Sequence, residues 1–294
     1  MWIGVTERFR RFHADVNLTD DQIDDGLGKQ FGVRQSLQRQ YYGESTDKPP
    51  GFMVGSWGKG TQVRPSLDVD IFFVLPAPEF ERINRLSGNK QSALLQEIRA
   101  ALQITYPQTI IRGDGQVVIV GFNSISVEVV PVFAESGGGY YMPDTNSGGQ
   151  WKRADPLSEF AFINSAEQSA YGNVRPIAKM IKAWKRECNV PLKSFQVELL
   201  VAEFLTTYRH RNQHYFYYDW FMRDFFDFLC SCAWRTIYMP GTGEAISLGA
   251  DWLSRAESAR DRALKACDYE RDDLTISAGQ EWQKIFGNRI PIHV

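Results

Sequence analysis

Two aspartates and a glutamate carry the strongest chemical signal in this 294-residue chain. In LDVDIFFVL, Asp68 and Asp70 stand two residues apart. On a β-strand that spacing points both carboxylates to one face while Val69 and Ile71 point to the other. Like charges held side by side repel, and a hard divalent ion such as Mg²⁺ or Mn²⁺, which prefers oxygen ligands, relieves the repulsion. Glu128 lies inside SISVEVVPV, where an ionised carboxylate is costly unless paired or metal-bound. If its strand neighboured the first, three carboxylates would converge. Such a set can hold two divalent ions about 4 Å apart, one activating an attacking hydroxyl and the other neutralising charge on a departing pyrophosphate. Solvated acids on a half-exposed strand and a salt-bridged glutamate are the plainer readings of the same residues.

A few residues upstream, GSWGKGTQ begins at Gly55 directly after a short apolar run. Its glycines let backbone amides approach a phosphate closely, and the Ser56 hydroxyl adds a donor. The Walker pattern GxxxxGK[ST] is absent. Alone, the segment reads more readily as a structural turn; followed by Asp-Val-Asp on the next strand, it becomes specific. A weaker constellation pairs His210 and His214 with Cys230 and Cys232, residue types that zinc accepts, although the spacing matches no finger or ribbon and HRNQH also reads as an exposed helix end. With no CxxC pair, the four cysteines read as reduced thiols.

These residues need strands to carry them, and the hydrophobic pattern supplies strands in the first half only. Runs at 52–55, 68–75, 109–112, 116–122 and 125–133 have strand composition, with one helix between them carrying Leu94, Leu95, Ile98 and Leu102. Ahead of them, Thr19 and Gln22 form a capping-box pattern opening a helix whose stripe would be Ile23, Leu27, Leu37 and Tyr41, with DKPPG at 47–51 as its stop. From about residue 157 the period becomes helical, through IAKMIKAWKREC, FQVELLVAEFLTTYRH, WFMRDFFDFLCSCAW, WLSRAESARDRALKAC and GQEWQKIFG. Gly137–Gly139 and Pro143–Gly149 read as a loop joining the halves over a cleft. The pattern is α+β, a mixed sheet followed by a helical half.

Taken together, GSWGKGTQVRPSLDVDIFFVL, SISVEVVPVF, RPIAKMIKAWKREC with LKSFQVELL, and EWQKIFGNRIP resemble the DNA polymerase β-type nucleotidyltransferase superfamily. Within it the chain is most similar to the bacterial cyclic-oligonucleotide synthases related to cyclic GMP-AMP synthase and oligoadenylate synthase. The resemblance implies a nucleotidyltransferase core with a long N-terminal helix over residues 1–165 and a helical domain over 166–294 that closes a nucleotide cleft. It implies Asp68, Asp70 and Glu128 as catalytic ligands of two Mg²⁺ (or Mn²⁺) ions, with Gly55 and Ser56 on the donor nucleotide. Lys182 matches the lysine placed on the donor triphosphate and Ser194 the serine that hydrogen-bonds phosphate. Phe195 stands where relatives often carry tyrosine, an aromatic that stacks on the donor base. A solvated helix lysine, a helix N-cap and a core phenylalanine are the plainer readings of these three. The implied reaction condenses nucleoside triphosphates, ATP or GTP, into a cyclic di- or trinucleotide that an effector reads in antiphage defence. Tyr140, Tyr141 and Tyr208 are candidates for base selection that the sequence does not separate.

Composition narrows the alternatives. Hydrophobic residues at 43% and aromatics at 13% can bury a core, which excludes wholesale disorder. With 33 basic against 35 acidic residues the net charge is −2, so no global positive field holds a nucleic-acid polymer, and the basic spine of the animal DNA sensor is missing. No long apolar run or signal-like start suggests a membrane, and a cytoplasmic location is expected. The end, IPIHV, lacks the small terminal residue of relatives whose tails are conjugated. A transferase making linear oligonucleotides or modifying a tRNA or protein acceptor, and a catalytically silent nucleotide-binding module, remain the competing readings.

Overall fold

A computed structural model of the chain describes residue 2, residues 4–44 and residues 46–294. In chain order its elements are α1 (Val5–Val16), α2 (Asp20–Tyr42), β1 (Phe52–Met53), α3 (Gly55–Lys59), β2 (Asp68–Val74), α4 (Ala77–Asn84), α5 (Lys90–Thr105), β3 (Ile110–Asp114), β4 (Val117–Gly121), β5 (Ser126–Ala134), β6 (Tyr140–Asp144), β7 (Gln150–Ala154) and α6 (Pro156–Ser169). There follow α7 (Val174–Glu187), α8 (Ser194–Thr207), α9 (Tyr218–Ser231), β8 (Thr236–Tyr238), β9 (Ala245–Ser247), α10 (Leu253–Arg271) and α11 (Thr275–Phe286).

Alternation in LDVDIFFVL sorts the sheet into two faces. Val69, Ile71 and Phe73 join Val127 and Val129 of β5 and Val118 and Val120 of β4 against Val33, Leu37, Leu94, Ile98 and Leu102 of α2 and α5. Full burial of each such side chain contributes roughly 1.5–3 kcal/mol. The strands run in the order β1–β2–β5–β4–β3, with β2 and β5 parallel and the other pairs antiparallel. On the opposite face Phe72, Val130 and Val132 pack with Phe52, Tyr140 and Phe160. That cover lies beyond Asp68 and Asp70 along the strand, so the acid end of this face borders the cleft.

Thr19 caps α2 reciprocally with Gln22, as the sequence pattern requires. The helix stops earlier than DKPPG, at Gly43 in the left-handed region (φ 73°). Its inner stripe also differs: Leu27 is exposed, while Gly26 faces the sheet domain because a Cβ there would come within 2.4 Å of the Trp57 ring. Of the stretches expected to be loop, 137–139 and 145–149 are turns, and with them the chain forms the β6–β7 hairpin, which the sequence pattern did not disclose. Tyr141 and Tyr140 pair with Phe133 and Ala134 at the end of β5, and Tyr140 packs edge-on to Phe72. Flanking glycines hid this strand pair, since they supply its turns rather than break it.

The helical half has its own core, built on Ile177, Ile181, Trp184, Phe225, Trp282 and Phe286. Val5, Phe9, Phe12 and Val16, spaced as one helix face, enter that core and not the sheet's, with Phe9 against Trp282 and Phe12 against Phe286. The first helix therefore packs with the half expected to begin at residue 166. No helix among the described residues is long and apolar enough to cross a membrane.

Candidate active site

Parallel pairing of β2 with β5 sets Asp70 directly beside Glu128 and Asp68 beside Ser126. Cross-strand partners share a face, so the three carboxylates form one half-buried row. Burial pushes the Asp70 carboxyl up to about 7, helped by the charges of Asp68 and Glu128, while Lys59 pulls the other way. Burial likewise raises Asp68, against Arg186 and Lys182, and raises Glu128, reinforced by Asp68. Among the described residues none of the three forms an ion pair, and no group of three or more acids, histidines or cysteines stands close enough to hold a metal ion. An all-carboxylate row whose members resist ionisation chiefly because they are buried is nevertheless the donor type that suits a hard divalent cation.

The glycine turn is locked to this row. β1 pairs antiparallel with β2, and the next amide, of Val54, donates to the Asp70 carbonyl at 2.9 Å. The chain then turns through Gly55 (φ 57°) into α3, where the Ser56 carbonyl accepts from Thr61 N–H at 2.9 Å. A Cβ on Gly55 would lie 2.1 Å from Asp70 Oδ2. Glycine is required here by close approach as well as by dihedral angle.

Between this turn and the helical half lies a cavity of about 470 Å³, lined among others by Ser56, Asp68, Lys182, Lys185, Arg186 and Ser194. That volume falls within the range of small-molecule sites. Ser194, expected as a phosphate contact or a cap, is the exposed first residue of α8, with Lys193 as the capping position. Lys182 reaches the wall, but its ammonium is tied to Glu198 and Thr61. The cations with donors to offer are Lys185 and Arg186, both overlooked in the sequence. Lys182, Lys185 and Arg186 stand at i, i+3 and i+4, a shared helix face that the KMIKAWKR run already encodes. Burial and the adjacent Arg186 guanidinium lower Lys185; burial and Arg289 lower Arg186, against Asp68.

Other expected residues lie elsewhere. Phe195 is half-buried against the helical core with Lys193 above its ring, and does not line the cavity. Tyr140 belongs to the hairpin cluster, Tyr141 donates to Glu135, and Tyr208 donates to Asp224. His210 follows the end of α8, packed among Tyr208, Tyr217 and Trp220, while Cys232 bonds the Phe228 carbonyl and Arg235. Among the described residues the two histidines and two cysteines do not gather into a group that could hold a metal ion.

Comparison with known proteins places the chain in a family. Residues 3–166, which include the glycine turn and all three acids, match the Second Messenger Oligonucleotide or Dinucleotide Synthetase domain. A cyclic AMP-AMP-AMP synthase of an Acinetobacter species is 24% identical over 259 residues, covering 82% of this chain and 72% of that protein. A probable cyclic nucleotide synthase of Bacillus cereus is 23% identical over 280 residues, covering 81% of each. Among solved structures, E. coli MS115-1 CdnC with ATP shares the fold with a TM-score of 0.70 at 19% identity, over 97% of this chain and 98% of that one. Vibrio cholerae DncV cyclic AMP-GMP synthase with a linear intermediate shares it at 0.69 and 15%, over 99% and 88%. With its acids, turn and cleft on a shared fold, the chain belongs to the Second Messenger Oligonucleotide or Dinucleotide Synthetase family and is a bacterial nucleotidyltransferase of the cyclic-oligonucleotide-synthase type.

Proposed function

We propose that the cleft binds a nucleoside triphosphate between the acid row and the basic wall of α7, and joins nucleotides into a cyclic di- or trinucleotide. One observation carries this reading: Asp68, at the end of the acid row, and Ser56, beside the glycine turn, line one cavity with Lys185 and Arg186 of α7. A divalent ion suits the acids and a triphosphate the cations. Asp68, Asp70 and Glu128 are the residues that would hold two Mg²⁺ or Mn²⁺ ions. When bound, such ions lower the pKa of a ribose hydroxyl and neutralise charge on the leaving group.

In this scheme the Gly55 turn, Ser56, Lys185, Arg186 and Ser194 hold the donor triphosphate. Glu128 lies across Asp70 from the glycine turn, so the acceptor hydroxyl approaches from the β5 side. Its oxygen bonds to the α-phosphorus as the bond to the bridging oxygen breaks, pyrophosphate leaves, and the hydroxyl proton passes to solvent or a carboxylate. A last transfer within the linear product, onto the α-phosphorus of its own 5′-triphosphate with loss of a further pyrophosphate, closes the ring. We propose ATP as one substrate, supported by the name of the Acinetobacter relative and by the ATP bound to CdnC. A role for the product as a diffusible signal read by an effector in antiphage defence follows from the same kinship.

Purified protein incubated with Mg²⁺ or Mn²⁺ and the four nucleoside triphosphates, then with phosphatase, should yield a resistant oligonucleotide lighter by one water than its linear form. Linear products alone would replace cyclisation with simple chain extension. Arg186→Ala and Lys185→Ala should each weaken binding of α,β-methylene-ATP about tenfold, the loss of one charge-assisted phosphate contact of about 1.4 kcal/mol. Calorimetric titration measures this; unchanged affinity in both variants would remove α7 from the donor site.

A further inference from the structure

A helix leaves its last carbonyls without partners of its own, and an acid in its last turn faces the negative end of the helix dipole. α1 ends at Val16 with Asp15 in that turn. Its needs are met from far along the chain. Arg289, just beyond α11, donates from Nε to Asp15 Oδ2 at 2.6 Å, from one terminal nitrogen to the Asp15 carbonyl at 2.7 Å, and from the other to the Arg64 carbonyl at 2.6 Å. Arg64 returns to the same carboxylate, at Oδ1 (2.6 Å), and its backbone N–H donates to the Val16 carbonyl at 2.9 Å. Three segments far apart in sequence are thus fastened at one point, and all three side chains are half-buried there.

What the clasp fastens is the stretch from Thr61 to Leu67, which joins the glycine turn to β2. Thr61, Val63, Ser66 and Leu67 line the cavity, and Asp68 follows directly. The carbonyl of Pro65, next after Arg64, accepts from Arg186 at 3.1 Å. A triphosphate that draws on Arg186 competes with that bond. It does not compete with the clasp, since neither Asp15 nor Arg289 lines the cavity.

We infer that Asp15 and Arg289 are positioning residues of the transfer reaction: their clasp on Arg64 sets the loop that walls the cavity and leads into Asp68. The inference rests on the reading that this cavity binds a nucleoside triphosphate.

Loss of either residue breaks the same clasp but shifts the local charge in opposite senses. Asp15→Asn leaves Arg64 and Arg289 without their shared carboxylate, adding positive potential near Arg186, which already feels Arg289. Arg289→Gln subtracts positive potential from the same place. A field effect would move the two variants apart; a positioning effect moves them together. Arg289→Lys keeps the charge without the planar fork that reaches three acceptors, so it cannot rebuild the clasp.

The full-length variants would be assayed for pyrophosphate release at saturating nucleotide and Mn²⁺, for binding of α,β-methylene-ATP with Mg²⁺, and for thermal unfolding. Asp15→Asn, Arg289→Gln and Arg289→Lys should each lower kcat at least about tenfold, with affinity for the analogue within about threefold of wild type. Val5→Ala, a buried truncation at the other end of α1, should melt lower and keep the wild-type rate. Wild-type kcat in Asp15→Asn and Arg289→Gln would show that the loop holds its place unaided, and affinities that part with the charge at unchanged kcat would show a field effect. Full recovery in Arg289→Lys would show that charge suffices, and an equal loss of rate in Val5→Ala would show that the stability of α1 sets it. Each of these overturns the inference. If Arg289→Gln does not fold, Asp15→Asn and Arg289→Lys decide by the same criteria. Wild-type protein that releases no pyrophosphate would overturn the nucleotide-transfer reading, and the inference with it, before any variant is compared.

Discussion

Asp70→Asn will abolish pyrophosphate release and yet make the metal-free protein harder to unfold. Asp70 is held with its carboxyl at about 7, against an ordinary 3.8, chiefly by burial and then by Asp68 and Glu128. A group whose folded-state pKa is raised favours the fold while protonated, below the unfolded value, and that advantage is lost as pH rises through the folded value. Above pH 7 the ionised carboxylate therefore opposes folding by up to about 4 kcal/mol, the equivalent of about 3 pH units. Asparagine keeps the size and removes the charge. In EDTA at pH 8 the variant should melt several degrees higher, at roughly 2–4 °C per kcal/mol, and the gap should close as pH falls towards 4. Saturating Mn²⁺ with nucleotide should reverse the order, because only the wild type gains the full ligand set. Transfer itself should fall at least about 10³-fold, as expected when charge stabilisation of a phosphoryl transition state is removed. Melting curves with and without chelator, beside a pyrophosphate assay, decide the matter. Retention of more than a tenth of wild-type activity would take Asp70 out of the reaction.

The parts of this site that the sequence discloses are those governed by local period. Two residues apart on a strand means one face, so Asp68 and Asp70 were readable without any structure. Helical segments such as IAKMIKAW announce themselves by their spacing, and Ile177, Ile181 and Trp184 indeed enter the core. Glu128 was readable as an acid in an apolar strand, but its place opposite Asp70 depends on a parallel pairing across more than fifty residues, which no local pattern contains. The destination of α1 is hidden for the same reason: an amphipathic helix declares that it has a buried face, not which core receives it. Lys182 exposes a different gap. Its partner, Glu198, is one acid within the apolar run VELLVA, the same signal that singled out Glu128. Any ionised residue in an apolar stretch demands a partner, and Glu198 finds two lysines where Glu128 finds none.

Gly55→Ala tests the glycine turn with an effect nearly as large on catalysis and much smaller on stability. Gly55 has φ 57°, where an L-residue costs roughly 1–2 kcal/mol, and the added methyl would meet Asp70 at Oδ2 (2.1 Å), Cγ (2.9 Å) and Cβ (3.2 Å). The obstructing oxygen is the tip of a short side chain, so the carboxylate can rotate away and the fold survives. What cannot survive is its alignment with Glu128 and Asp68, and displacements of about 1 Å at a reacting centre cost about 10² in rate. Gly28→Ala is the matched control: it lies on α2 with nothing within 4 Å of the new methyl, and alanine should add about 0.5–1 kcal/mol of helix stability with transfer unchanged. Gly55→Ala should therefore unfold within a few degrees of wild type while releasing pyrophosphate at least about 100-fold more slowly. It should also need a higher Mn²⁺ concentration for half-maximal rate, because the displaced ligand lowers affinity for the ion. A Gly55→Ala enzyme with wild-type rate and metal requirement would mean that the close approach of the turn to Asp70 is a packing feature only.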